Sequence, residues 1–237
     1  MKKSDSIGVI IPAAGSGARM GGVYKPLENL CDKEMLCYSL ETFEKIDDVS
    51  FVVISARHDK INEIEKLCRD NQFLKVKCVV NGGSDRQSSV ENAFKCGLFD
   101  DDNVDYVAIH DAARPLLDVD TAVCAFETAK KHSNAVCASP VRDTVKRTDD
   151  ENVVCTNVER DNLWLIQTPQ VFEKEQYGKA LDFAISTGIT ATDDSSLIIN
   201  MGEKIHLCKS PSTNFKVTYE EDAFMAQAII NYRKGGV

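Results

Sequence analysis

The residues best able to do chemistry stand in four short groups. Arg19 and Lys25 follow a run of Ala, Gly and Ser; Arg86 lies in a second Gly-Ser loop; Asp111 and Arg114 share His110-Asp-Ala-Ala-Arg-Pro115; and Lys216 sits in Asn214-Phe-Lys-Val-Thr218. Cations spaced around small-residue loops suit a polyanion, because Gly- and Ala-rich backbone can approach a ligand closely and turn its N–H groups inward. The first group is the most informative. Pro12-Ala13-Ala14-Gly15-Ser16-Gly17 follows the apolar run Ile7–Ile11, which reads as a buried strand stopped by a proline that cannot continue a central ladder. A strand ending in such a loop, with two cations in reach, implies a nucleoside triphosphate site. Two familiar phosphate loops are excluded. No Lys-Ser/Thr pair follows the second glycine, as a P-loop requires, and Met20 stands where the dinucleotide fingerprint needs its third glycine.

The other groups leave alternatives open. Gly82-Gly83-Ser-Asp-Arg86-Gln-Ser-Ser89 is either a second anion- or base-contacting loop ahead of a helix or a plain hairpin turn. Asp111, just past an apolar run, is placed to meet a metal or a hydroxyl, and Arg114 offers a bidentate fork for phosphate; alternatively the two form a structural ion pair. His110 reads as a hydrogen-bonded strand-end residue. Lys216 is either a surface lysine or part of the cation set, and Thr190 to Ser196 has the chemistry of a helix cap.

Elements that position these groups alternate along the chain. Apolar, β-branched runs at Ile7–Ile11, Phe51–Ile54, Val76–Val80, Tyr106–Ile109 and Ala135–Ala138 are separated by helical periodicity at Met35–Ile46, Ile61–Arg69, Ser89–Gly97 and Val119–His132. This predicts parallel βαβ units in an open, three-layer α/β sheet, whose ligands bind beyond the carboxyl ends of the strands. From Pro140 the pattern changes to an extended segment, a turn at Asp149–Asn152 and a return strand Val153–Val158. Such a hairpin has little core to bury, so it is expected to project and to pack on a second subunit. Trp164, the only tryptophan, is expected to fill core. A helix over 173–187 ending at Gly188, a strand over 204–208 and a last helix from Tyr219 or Glu220 complete the chain as one domain over 1–237, with a β-arm at about 140–160.

A net charge of −9 argues against a general nucleic-acid binder, so local cations must meet any anionic ligand. Nine cysteines without a Cys-x-x-Cys pair favour reduced, mostly buried thiols in a cytoplasmic protein. The apolar stretch before Pro12 is too short for a signal or a membrane span.

Taken in order, these motifs resemble the 2-C-methyl-D-erythritol 4-phosphate cytidylyltransferase family. They are Pro12 to Met20 with Lys25, Gly82-Gly83 with Arg86 and Ser89, His110 to Pro115, Pro140 to Lys146, Arg160 with Leu163-Trp164, Gln167 to Gln170, Thr192 to Asp194, and Asn214 to Thr218. The resemblance implies a Rossmann-like nucleotidyltransferase sheet with a projecting dimerisation arm, transfer of CMP from CTP to a methylerythritol phosphate, a divalent cation such as Mg²⁺, and a homodimer whose exchanged arms complete each other's sites. Carried over residue by residue, it implies catalytic roles for Arg19, Lys25, Arg160 and Lys216. CTP would be held by Pro12, Ala13, Ala14, Gly15, Ser16, Gly17, Gly82, Arg86 and Ser89. The second substrate would meet Asp111, Arg114, Thr144, Thr168 and Thr190, and Asp111 would also meet the metal. Ribitol 5-phosphate cytidylyltransferase, which shares the first loop and the Asp111 motif, is the alternative; a catalytically silent nucleotide-binding regulator is the rival from another class. Pro26 and Ile199 depart from the usual pattern, where Gln and Glu would be more common.

Overall fold

The computed structural model describes residues 5–15, 22–100 and 103–235. In chain order the elements are β1 (Ile7–Pro12), β2 (Asn29–Leu30), β3 (Lys33–Glu34), α1 (Met35–Glu44), β4 (Val49–Ala56), α2 (Ile61–Asp70), β5 (Val76–Asn81), α3 (Arg86–Phe94), β6 (Tyr106–Ile109), α4 (Val119–His132), β7 (Asn134–Pro140), β8 (Val145–Thr148), β9 (Val154–Val158), β10 (Trp164–Glu173), α5 (Lys174–Thr187), α6 (Asp194–Asn200), β11 (Leu207–Lys209) and α7 (Glu220–Arg233). Seven strands form one sheet in the order β11-β7-β10-β6-β1-β4-β5.

Near-continuous apolar runs become the central strands, because both faces are covered. Val9, Ile10 and Ile11 of β1 and Val107, Ala108 and Ile109 of β6 are fully buried. On one face Leu36, Leu40 and Phe43 of α1, Ile64 of α2 and Phe126 of α4 pack on the sheet. On the other, Val90 of α3, Tyr177 and Leu181 of α5 and Ile198 of α6 do the same, which gives the three layers. A third cluster seats α7 through Ala226 and Ile230 against Leu30, Met35, Leu116 and Val217. No helix among the described residues is long and apolar enough to cross a membrane.

The sheet is mixed where the alternation predicted parallel pairing. β1 pairs in parallel with β4 and β6, but β10 runs antiparallel between β6 and β7. Its middle, Gln167-Thr-Pro-Gln170, is polar and proline-bearing, so it carries no strand signal, and the β7 register shifts across it. The buried polar side chains there find partners outside the ladder: the Gln167 amide donates to the Ser139 hydroxyl, Thr168 pairs with His110, and the Gln170 side-chain oxygen accepts the Ser195 N–H.

β8 and β9 form a separate antiparallel pair in which Val145 faces Val158, and most of its residues are exposed. It leaves the sheet from the end of β7 and returns into β10. Trp164 does not fill the core: it is 36% exposed at the foot of this hairpin, next to the exposed Leu165 and Ile166. All nine cysteines are free thiols, but only Cys37, Cys68, Cys137 and Cys208 are buried, while Cys31, Cys124 and Cys155 are exposed, fewer buried than the composition led us to expect.

Candidate active site

A cleft of about 430 Å³ opens beyond the carboxyl ends of β1, β5 and β6. Its walls are Pro12 to Gly15 from the loop after β1, Lys25 and Pro26, Gly83 to Arg86 and Ser89 from the loop and helix after β5, Asp111 to Ala113 after β6, and Lys216. This is where a doubly wound sheet places its ligands.

The loop after β1 and the loop after β5 meet at Gly82. A methyl group there would collide with the Ala14 methyl, and it would lie 3.3 Å from the Ala56 carbonyl, so glycine is required for this approach. Ser89 fixes the loop: its hydroxyl accepts the Gly83 N–H at 3.0 Å and donates to the Asp85 carbonyl at 2.6 Å. Asp85 caps α3, accepting the Ser88 N–H at 2.8 Å. Helix-cap chemistry thus aims Arg86, the first residue of α3, into the cleft.

Asp111 is the electrostatic centre. Its Oδ1 accepts from Arg86 Nε at 3.1 Å, its Oδ2 accepts from Lys216 Nζ at 3.0 Å, and Arg114 Nε lies 3.6 Å from the same Oδ2. Burial alone would push this carboxyl up, but Arg86, Lys216 and Arg114 hold it far below the ordinary carboxylate range, so it is ionised at any working pH. Arg86 reaches a second carboxylate, Asp194 Oδ2, at 2.6 Å. Burial disfavours its charge, yet Asp194 and Asp111 outweigh that and raise its pKa.

Behind this cluster lies a buried network. His110 Nε2 is 3.2 Å from the Arg114 carbonyl, which only accepts, so Nε2 carries the proton and Nδ1 accepts from the Thr168 hydroxyl at 3.0 Å. The same hydroxyl oxygen accepts the Asp111 N–H at 3.1 Å. Burial pulls His110 down to about 4, so the ring is neutral. Asn214 Nδ2 donates to the Thr168 carbonyl at 2.8 Å, and Arg114 NH1 donates to the Asn214 carbonyl at 2.9 Å. Opposite, Tyr177 and the α6 cap residue Asp193 hold the Asp194 side: Tyr177 donates to Asp194 Oδ1 at 2.9 Å, and Gln170 donates to Asp193 Oδ2 at 2.9 Å.

Lys25 and Lys216 approach the cleft from one direction. Lys25 Nζ donates to the carbonyls of Val217 at 3.1 Å and Thr218 at 3.0 Å, the two residues after Lys216. Pro26 is accommodated because it lies in the first turn of a short 3₁₀ helix, Lys25–Leu27, where no N–H is needed. Ile199 lies on the exposed side of α6, 55% exposed.

The expected site residues divide accordingly. Pro12, Ala13, Ala14, Gly15, Lys25, Arg86, Ser89, Asp111 and Lys216 line one cleft, and Gly82 packs directly beneath it. Ser16, Gly17 and Arg19 lie outside the described residues. Arg114 and Thr168 sit behind the surface rather than on it: Thr168 is 3% exposed and its hydroxyl is committed to His110 and Asp111, which corrects its placement as a substrate-facing group. Thr190 is exposed on the loop that leads to α6, and its neighbour Ala191 is tied to Gln87. Thr144 and Arg160 are exposed on the arm and absent from the cleft walls of their own chain; Arg160 donates to the Arg142 carbonyl at 2.7 Å. Asp194 was legible only as a cap-type residue, because its pairing with Arg86 depends on a helix more than a hundred residues away. Ala112 and Ala113 carried no signal except their place beside Asp111.

Comparison with known proteins identifies the family. The family model described as 2-C-methyl-D-erythritol 4-phosphate cytidylyltransferase matches residues 7–232. Relatives bearing that name include proteins of Desulforamulus reducens, 36% identical over 96% of this chain and 97% of its own length, and of Halalkalibacterium halodurans, 38% identical over 94% and 96%. Among solved structures, 4-diphosphocytidyl-2C-methyl-D-erythritol synthase of Anaerococcus prevotii superposes with a TM-score of 0.82 at 26% identity, covering 96% of this chain and 99% of that one. The match runs over nearly the whole length in both sequence and fold, and the chain belongs to the 2-C-methyl-D-erythritol 4-phosphate cytidylyltransferase family.

Proposed function

We propose that the protein transfers CMP from CTP to 2-C-methyl-D-erythritol 4-phosphate, releasing pyrophosphate and forming 4-diphosphocytidyl-2-C-methyl-D-erythritol. The observation that carries this reading is one cleft in which Arg86 and Lys216 pair with the ionised Asp111, with Lys25 on the same wall and the Gly82–Ala14 contact beside them. The acceptor phosphate, largely dianionic near neutral pH, attacks the α-phosphorus; a P–O bond forms as the bond to the bridging oxygen of pyrophosphate breaks. No general base is required, so the work of the site is positioning and charge neutralisation. Lys25 and Lys216, with Arg19, would neutralise the triphosphate and the pentacoordinate phosphorus. The loop of Gly82, Arg86 and Ser89 against Ala14 would frame cytosine and ribose, its close backbone approach favouring a pyrimidine over a purine.

Magnesium fits as an ion carried in on the triphosphate. Mg²⁺ is commonly held by one or two carboxylates together with substrate phosphates, and among the described residues no group of three or more His, Cys, Asp or Glu could hold a metal. Asp111 is the carboxylate that would meet it, and the ion would add positive charge against the phosphates.

The arm supports a homodimer. Val153, Val154, Leu165 and Ile166 expose 57%, 57%, 57% and 42% of their surface on or at the foot of a two-stranded ribbon, which is marginal alone. Docked on a second copy, it would deliver Thr144 and Arg160 to the partner's cleft to bind the polyol phosphate. Such an enzyme of soluble metabolites would act in the cytoplasm.

The test is pyrophosphate release with CTP, Mg²⁺ and methylerythritol 4-phosphate, with ATP, GTP and UTP in parallel and ribitol 5-phosphate as second acceptor. Turnover confined to CTP plus methylerythritol phosphate is expected. Higher kcat/KM with ribitol phosphate would overturn the acceptor, and no release with any pair would overturn the reaction.

A further inference from the structure

Outside the cleft, three thiols meet where α4 covers the sheet border. Cys137 on β7 and Cys208 on β11 are paired in register on adjacent parallel strands, and both belong to the core beneath α4. Cys124 on α4 closes the group, with its Sγ 2.9 Å from Cys208 Sγ. Cys208 and Cys137 are buried, whereas Cys124 is exposed, so the cluster has one sulfur at the solvent and one directly behind it. β11 is a three-residue strand at the edge of the sheet, the kind of element that opens at low free-energy cost.

We infer that Cys124 and Cys208 form a reversible oxidation site, in which a peroxide converts the two thiols to a disulfide that clips α4 to β11. The geometry favours this pair over any other contact among the three, because Cys124 alone is open to solvent and the two sulfurs need to close by only about 1 Å. The access order follows from the same geometry. Cys124, the sulfur open to solvent, is the one a peroxide meets, and Cys208 directly behind it is the resolving thiol. The Cys124 sulfur attacks one peroxide oxygen; an S–O bond forms, the O–O bond breaks, and the departing hydroxide takes the Cys124 proton to become water. Cys208 then attacks the Cys124 sulfur; the S–S bond forms, the S–O bond breaks, and the leaving hydroxide takes the Cys208 proton. Two thiols lose two electrons, one peroxide gains them, and two waters result. An excess of small-molecule dithiol reverses the clip.

The site also has a mechanical address. From β11 the chain runs through Ser210, whose N–H bonds the Ala138 carbonyl at 2.8 Å, to Asn214 and Lys216. The clip would tether the strand that leads into the cation set.

The full-length protein is treated with hydrogen peroxide at neutral pH, alkylated, digested without reduction and mapped by mass spectrometry. A Cys124–Cys208 cross-linked peptide is expected, with these two thiols lost together and in equal amount, while Cys31 and Cys155, which have no thiol neighbour in contact among the described residues, yield no intramolecular cross-link. The cross-link is retained in Cys137→Ser and absent in Cys124→Ser, a surface change that leaves the fold intact. Full alkylation of Cys124 and Cys208 after Cys31 and Cys155 are consumed would overturn the inference. So would a cross-link joining Cys137 to Cys208, or conversion of Cys208 to sulfinic acid with Cys124 still alkylated.

Discussion

Replacing Asp111 with asparagine keeps shape and removes one charge, so it tests whether this carboxylate organises the site. Breaking a buried ion pair by removing one partner costs about 3–5 kcal/mol, since the other charge is left uncompensated. Here the loss is shared unequally. Arg86 keeps Asp194 at 2.6 Å, and the Lys216 side chain, 38% exposed, can turn to water. Arg114, with a side chain only 11% exposed, has no second carboxylate among the described residues and retains the Asn214 and Ile166 carbonyls. The net cost is then ~2–4 kcal/mol, which for a chain of this length lowers Tm by about 5–15 °C. The pH dependence supplies a second reading. Asp111 titrates below its unfolded value of 3.8, so its contribution is present above that pH and is lost as pH falls through the folded value. The gap between wild type and Asp111→Asn should be constant from about pH 5 to 8 and shrink below about pH 4. Thermal melts by circular dichroism across that range measure both. An Asn variant melting within a degree or so of wild type at pH 7, or a gap that widens in acid, would refute the reasoning.

Other outcomes follow from the same contacts. Lys25→Ala and Lys216→Ala should each lower kcat by roughly 10²–10³ while Tm changes little; near-normal turnover in either would remove it from the charge-neutralising set. His110 is buried neutral and held at about 4 against 6.5 unfolded, so its stabilisation is complete above pH 6.5 and fades toward pH 4. A non-titrating His110→Asn protein should show a flatter stability curve across that window, by about 3 kcal/mol, and denaturant titrations at several pH values check it. Arg160→Ala should impair use of the polyol phosphate rather than CTP, read as KM for each. Mixed with Lys216→Ala protein, it should regain about a quarter of wild-type activity if arms are exchanged in a symmetric dimer; no regain would place the arm in its own chain's site.

Much of the fold was legible because its strands are simple. Ile7–Ile11 and Tyr106–Ile109 are apolar throughout and buried on both faces, so period and burial agree. β10 was not legible, since its buried Gln167, Thr168 and Gln170 take partners from His110, Asp193 and Ser139, which are remote in sequence. The site shows the same division. Loop composition pointed to Ala14, Gly82, Arg86 and Lys25 because small residues and cations are local signals. That Thr168 serves Asp111 from behind, and that Asp194 restrains Arg86, could be seen only once β10 and α6 had been placed against β6 and α3. Trp164 misled for a related reason: a large aromatic usually seeks the core, but at the foot of the arm the described residues offer it none.

The sharing of Asp111 among Arg86, Arg114 and Lys216 also bears on how a reaction cycle ends. Of these three, Lys216 is both on the cleft wall and part-exposed. Without a carboxylate partner, such a lysine would grip pyrophosphate, the most highly charged product of the proposed reaction, and hold it. With Asp111 at 3.0 Å its ammonium has an internal competitor, so a phosphate bound there would displace a partner that waits one side-chain rotation away. On that reading, loss of Asp111 would slow departure of the product more than arrival of the substrate.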